Sequence, residues 1–269
     1  MVIRELLKAK NRPLIMGVIN TTPDSFFPFS RKNSIKKGVA AALKMVSDGA
    51  DIIDIGGEST RPGSEYIDEQ EELKRVIPVL KEIALNLKIP ISVDTRKSRV
   101  ACEAINAGAS IINDISSMED DPEMAEVLKD AGCDIIIMHK TGIPLIAEVY
   151  QKLEILTKNA ILKGIDENKI TIDPGLGFGK NVDDDLVIIN NIDYFKKLGF
   201  PILIGHSRKS FIGAITGKDV EERLAGSLAA GVVSLINGAD ILRVHDVNET
   251  SDTIKILEAF MLAGCKLAQ

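Results

Sequence analysis

Short runs of Ile and Val recur along this chain, separated by helical patterns, and that alternation constrains its fold more than any other feature. The runs are "LIMGVIN", "DIIDIGG", "PISVDTR", "SIINDIS", "DIIIMH", "ITIDPG", "PILIGHS" and "DILRVHD". Each is nearly continuous in apolar residues, as a strand buried on both faces should be. Between them lie segments such as "SIKKGVAAALKMVSDGA", "EELKRVIPVLKEIALNL" and "ERLAGSLAAGVVSLINGA", with apolar residues at spacings of three and four. Several connections read "DGAD", "AGAS", "AGCD" or "NGAD", which predicts a glycine ending the helix just before the next strand. Eight β/α units predict an α/β chain folded as a (β/α)8 TIM barrel, with a doubly wound open sheet as the alternative.

The length of 269 residues suits one such barrel, and no Pro/Ser-rich linker divides it, so a single domain over residues 1–269 is expected. The chain is 45% hydrophobic with no Trp, which points to a core of Ile, Leu, Val and Ala. A formal charge of −6 offers no long-range attraction to nucleic acid or to an anionic membrane, so a bound anion must be gripped by a local cluster. The N-terminal "MVIRELLKAKNRP" lacks a signal-type apolar core and no apolar run is long enough to span a bilayer, so a cytoplasmic protein is expected. Cys102, Cys133 and Cys265 lack metal-type spacing and are predicted to be buried thiols.

Polar residues fall at the ends of different strand-like runs: Asn20, Asp94, Asn113, Asp173 and the pair Arg243 and His245. In a barrel these ends converge on one mouth. Each also has a local reading. Asp or Asn after a strand caps helices and makes Asx turns. "DPGLGFG" reads equally as a turn, "SRKS" as a helix start, and His139 and His206 as core or rim residues rather than ligands.

Taken together, "MGVINTTPDSF", "GGESTRPG", "SVDTRK", "INDIS", "DPGLGFGK", "GHSRKSFIG" and "RVHDV" resemble, in order and spacing, the motifs of the dihydropteroate synthase family of pterin-binding barrels. The resemblance runs from Leu14 to about Val247. One departure follows "TPDSF", where Phe27-Pro28-Phe29 stands in place of the Ser-Asp-Gly of many family members.

The resemblance implies a TIM-barrel transferase of folate biosynthesis. It would join 6-hydroxymethyl-7,8-dihydropterin pyrophosphate to 4-aminobenzoate, and sulfonamides would target it. It implies that Asp173, Asn113, Asp94 and Lys209 read the pterin ring, with Thr60 among the substrate contacts. Arg61, Arg243 and His245 would hold the pyrophosphate, and Asn20 would contact Mg²⁺. Ser210 would meet the 4-aminobenzoate carboxylate, and Phe26, Pro62 and the Lys209 stem would enclose its ring. Family members are usually homodimers. Two competing readings are a corrinoid-type pterin-binding methyltransferase, which has no pyrophosphate to hold, and a non-catalytic pterin-binding barrel.

Overall fold

A computed structural model of the chain describes residues 2–21, 31–58, 66–140, 142 and 146–264. A short helix, α1 (Val2–Lys10), precedes β1 (Leu14–Asn20). The repeat continues with α2 (Arg31–Ser47), β2 (Ile52–Gly56), α3 (Glu69–Asn86), β3 (Ile91–Asp94), α4 (Ser98–Asn106) and β4 (Ile111–Asp114). The second half runs α5 (Met124–Ala131), β5 (Asp134–Met138), α6 (Ile146–Leu162), β6 (Ile170–Asp173), α7 (Val182–Asn190) and α8 (Ile192–Phe195). It ends with β7 (Leu203–Ile204), α9 (Ser210–Thr216), α10 (Leu224–Ile236), β8 (Ile241–Val244) and α11 (Val247–Leu262).

All eight strands are parallel, in the order β6-β5-β4-β3-β2-β1-β8-β7. A bridge between Ile172 and Ile202, with the Ile172 N–H donating to Pro201 O at 2.9 Å, joins β6 to β7. That contact closes the barrel and rejects the open sheet. Every predicted apolar run contains its strand, and the predicted glycine ends Gly49, Gly108, Gly132 and Gly238 all carry positive φ.

Alternation along each strand sorts residues between two environments. Ile15, Ile53, Ile55, Val93, Ile112, Ile135, Ile137 and Ile172 pack outward into the main core shared with the helices. Leu14, Met16, Ile52, Ile111, Ile136, Leu203 and Ile241 fill the inside at the strands' N-terminal ends, where Ile3 of α1 joins them. The α1 backbone is pinned there by the Ile3 N–H donating to Asp134 Oδ2 at 3.0 Å. The bottom of the barrel is therefore sealed, and its interior opens at the C-terminal mouth.

Two features depart from the local patterns. Cys133 is buried as expected, and burial pushes its thiol up to about 12, but Cys102 is exposed. The cause is helical periodicity: α4 buries Val100, Ala101 and Ala104, and the next residue after Ala101 turns about 100° away from that face. The fate of Cys265 lies outside the described residues. Helix α10 is inverted, burying Ser227, Gly231 and Ser234 while Val233 and Ile236 are 38% and 40% exposed. Small residues are needed on the inner face because a Cβ at Gly231 would stand 2.9 Å from His206 Nε2.

Candidate active site

At the mouth, the inward positions turn polar. Arg243 on β8 reaches across the barrel and is held at two points along one edge of its guanidinium. Its Nε donates to Asp54 Oδ2 at 2.7 Å and its Nη2 to Asp94 Oδ2 at 2.9 Å. Asn113 Nδ2 also donates to Asp54 Oδ2, at 3.4 Å. Strands β2, β3, β4 and β8 thus contribute one hydrogen-bonded group. Burial raises the Asp94 carboxyl from its ordinary 3.8 to about 7; Arg243 pulls it down, and the charge of Asp54 pushes it further up. Burial works against the Arg243 cation, but Asp54 and Asp94 outweigh it and hold its pKa above the ordinary value.

Asp173 closes β6 and is buried. Its Oδ1 accepts the Gly175 N–H at 2.7 Å, fixing the turn that follows. Gly175 has φ +74, and a Cβ there would overlap the His139 carbonyl oxygen, so only glycine lets this loop lie against the end of β5. Lys180 locks the arrangement, with Nζ donating to Gly175 O at 2.9 Å, Phe178 O at 3.2 Å and His139 O at 3.3 Å. Asp185 Oδ1 accepts the Gly177 N–H at 2.8 Å. Lys209 Nζ donates to Leu176 O at 2.9 Å and lies 4.5 Å from the Phe178 ring centroid. Burial raises the pKa of Asp173 and lowers that of Lys209; it lowers Lys180 to about 8.

The loop after β7 is equally constrained. Arg208 adopts φ +56 and pairs with Asp246 through Nε at 3.0 Å and Nη2 at 2.7 Å. Arg223 Nη1 donates to the carbonyls of Arg208 and Lys209, at 3.2 and 3.4 Å. Ser207 Oγ accepts the His245 N–H at 3.2 Å and lies 3.1 Å from His245 Nδ1, which sets the ring's orientation. Ser210 is the first residue of α9 and is exposed.

Of the residues singled out from sequence, Asp94, Asn113 and Arg243 belong to one group, and Asp173 and Lys209 share the glycine-rich wall. His245 sits beside Arg243 at the β8 end. Asn20 ends β1 and is half-buried, with its Oδ1 near Gly56 at the end of β2. Phe26, Phe27, Pro28, Phe29, Thr60, Arg61 and Pro62 lie outside the described residues. His139 and His206 are buried, and burial lowers both to about 4, as suits neutral core histidines. Sequence reasoning missed Asp54, Lys180, Ser207 and the Glu58 carboxylate, which accepts from Arg96 and Lys97 at 2.6 Å each. Lys180 stood inside a quoted motif; Asp54 carried one faint signal, its even spacing from Gly56 on the same strand.

This closed barrel with buried carboxylates and a guanidinium at its C-terminal mouth is that of a pterin-binding enzyme: the family described by that name matches residues 16–245, and the chain belongs to it. Within the family its relatives are dihydropteroate synthases. The Bacillus subtilis enzyme is 43% identical over 262 residues, covering 96% of this chain and 92% of that one. The Escherichia coli K12 enzyme is 40% identical, covering 94% and 93%. Among solved structures, Xanthomonas albilineans dihydropteroate synthase with 4-aminobenzoic acid aligns with a TM-score of 0.88 at 39% identity, covering 93% of this chain and 94% of that one. The Yersinia pestis enzyme in a sulfonamide drug complex aligns with a TM-score of 0.88 at 37% identity, covering 94% and 95%.

Proposed function

We propose that this chain is a dihydropteroate synthase, joining 6-hydroxymethyl-7,8-dihydropterin pyrophosphate to 4-aminobenzoate with release of pyrophosphate. The observation that carries the reading is the Asp54–Arg243–Asp94–Asn113 group, which puts ring-reading acceptors and an anion-holding cation in one cup. A methyltransferase that holds no pyrophosphate leaves that cation, with His245, without a task.

In this reading Asp173 and Asp94 accept from the donor edge of the pterin through charge-assisted bonds. Asn113 and Lys209 read the remaining edge. As the carbon–oxygen bond breaks, Arg243 and His245 stabilise charge growing on the leaving pyrophosphate. Asp94 and Asp173 stabilise positive charge spreading into the dihydropterin. The arylamine then attacks that cation, and no protein nucleophile is needed. Thr60, Arg61, Phe26 and Pro62 complete the substrate contacts, and Ser210 meets the arylamine carboxylate.

Mg²⁺ fits this donor set. Among the described residues no group of three or more His, Cys, Asp or Glu could hold a metal. Asn20 offers one amide oxygen at the C-terminal end of β1, a hard donor that suits an ion whose other ligands are waters and phosphate oxygens. When bound, Mg²⁺ supplies charge neutralisation of the leaving group.

The chain is further proposed to work as a homodimer in the cytoplasm. The apolar outer face of α10 supports the first point, together with Ile256 and Phe260 on adjoining α11, exposed at 60% and 58%. For the second, no helix among the described residues is long and apolar enough to cross a membrane. The catalytic reading is tested by pyrophosphate release in Mg²⁺ buffer. Release must require both substrates, and methyl transfer from methyltetrahydrofolate without pyrophosphate release would replace it with the competing activity.

A further inference from the structure

We infer that Asp54 is a positioning residue that fixes Arg243 and Asn113 relative to one another, so that the anion-holding and ring-reading halves of the site act as one unit. The inference rests on the synthase reading above, which supplies the roles of those two partners. Asp54 is fully buried on β2, an inward step below Gly56. One of its oxygens, Oδ2, takes both the Arg243 Nε and the Asn113 Nδ2 hydrogen bonds, from strands β8 and β4. With Asp94 on Nη2, Asp54 on Nε fills one edge of the guanidinium and blocks its rotation. The Nη1 side has no hydrogen bond among the described residues and is left to meet an anion.

A packing role alone does not account for a carboxylate at Asp54. Oδ1 is buried and has no hydrogen-bond partner among the described residues. Leaving such an atom unsatisfied is destabilising. Its register neighbour on β1, Val18, shows that an apolar side chain is accommodated at this level of the barrel. A carboxylate here is therefore explained by what it orients, not by packing.

The test compares wild type with Asp54→Asn, which preserves size, and with Asp54→Ala. Turnover with each substrate varied, calorimetric titration with 6-hydroxymethyl-7,8-dihydropterin, and thermal melting are measured on all three. Pterin affinity and kcat/KM for the pterin pyrophosphate are expected to fall about ten-fold or more, with the KM for 4-aminobenzoate held within about two-fold. Placed in an Arg243→Gln background, Asp54→Asn should add less than about three-fold, because the guanidinium that Asp54 fixes against Asn113 is already gone. Unchanged pterin affinity in both variants overturns the inference. So does an Asp54→Asn effect as large in the Arg243→Gln background as in wild type. So does a loss that is equal for both substrates and follows the melting temperature. If wild type binds the pterin but makes no dihydropteroate, the synthase reading falls while the titration still decides the role of Asp54.

Discussion

Asp94 offers the sharpest perturbation, because its burial and its two charged neighbours set opposing demands. The folded protein holds its proton up to about pH 7, whereas an unfolded chain releases it near the ordinary 3.8. Below 3.8 both states are protonated and the group makes no difference. As pH rises from there the unfolded state ionises first, so stability falls until the folded carboxyl also ionises near 7, and is level above. The gap corresponds to about 4 kcal/mol, at about 1.4 kcal/mol for each pH unit. Between pH 5 and 7 about 3 kcal/mol of this is lost. Asp94→Asn is neutral at every pH and nearly isosteric with the protonated acid, so it removes this slope. Urea unfolding of both proteins from pH 5 to 8 should show the variant gaining on wild type by about 3 kcal/mol, with the difference levelling off above pH 7. The direction is set by burial together with Asp54, with Glu72 and Asp114 adding to it and Arg243 opposing. Parallel stability curves for the two proteins would refute the reasoning, and would mean that Arg243 neutralises Asp94 enough to keep it ionised in the free protein.

Other outcomes follow from single contacts. Asp173→Asn should weaken binding of the dihydropterin by about 1.5 to 3 kcal/mol in calorimetry with the fold intact; unchanged affinity would leave Asp173 as a turn residue bonded to Gly175. Gly175→Ala forces a side chain into φ +74 against the His139 carbonyl and should cost about 2 kcal/mol or more in chemical denaturation. Full stability in that variant would show that the loop re-seats without strain. Val233→Glu, on the exposed face of α10, should convert a dimer to a monomer in sedimentation, and a wild-type chain that is already monomeric at micromolar concentration would remove the dimer from the proposal.

The strands, the helix ends and much of the mouth were legible in the amino-acid order alone, because each is set by local physics. Continuous burial of a strand and period-3.6 burial of a helix are written in consecutive residues, and a helix that must turn sharply into a strand shows its glycine, as at Gly132. The polar residues ending the runs were legible for the same reason: Asp94, Asn113 and Asp173 are each the point where a buried strand meets the open end. Closure of the barrel was not, since an open sheet uses the same β/α units and the meeting of β6 with β7 at Ile172 and Ile202 distinguishes the two. Nor was Asp54, which lies 189 residues from the guanidinium it holds. Its own run, "DIIDIGG", offers two aspartates, and the barrel register alone puts one of them under Arg243 while the other binds Arg12 near the sealed end. The inverted face of α10 belongs to the same class, because the residue that demands Gly231 is His206, on a different element. Local periodicity is a property of neighbours in the chain, whereas which carboxylate meets which cation across a barrel is decided by strand stagger and closure, which no short stretch encodes.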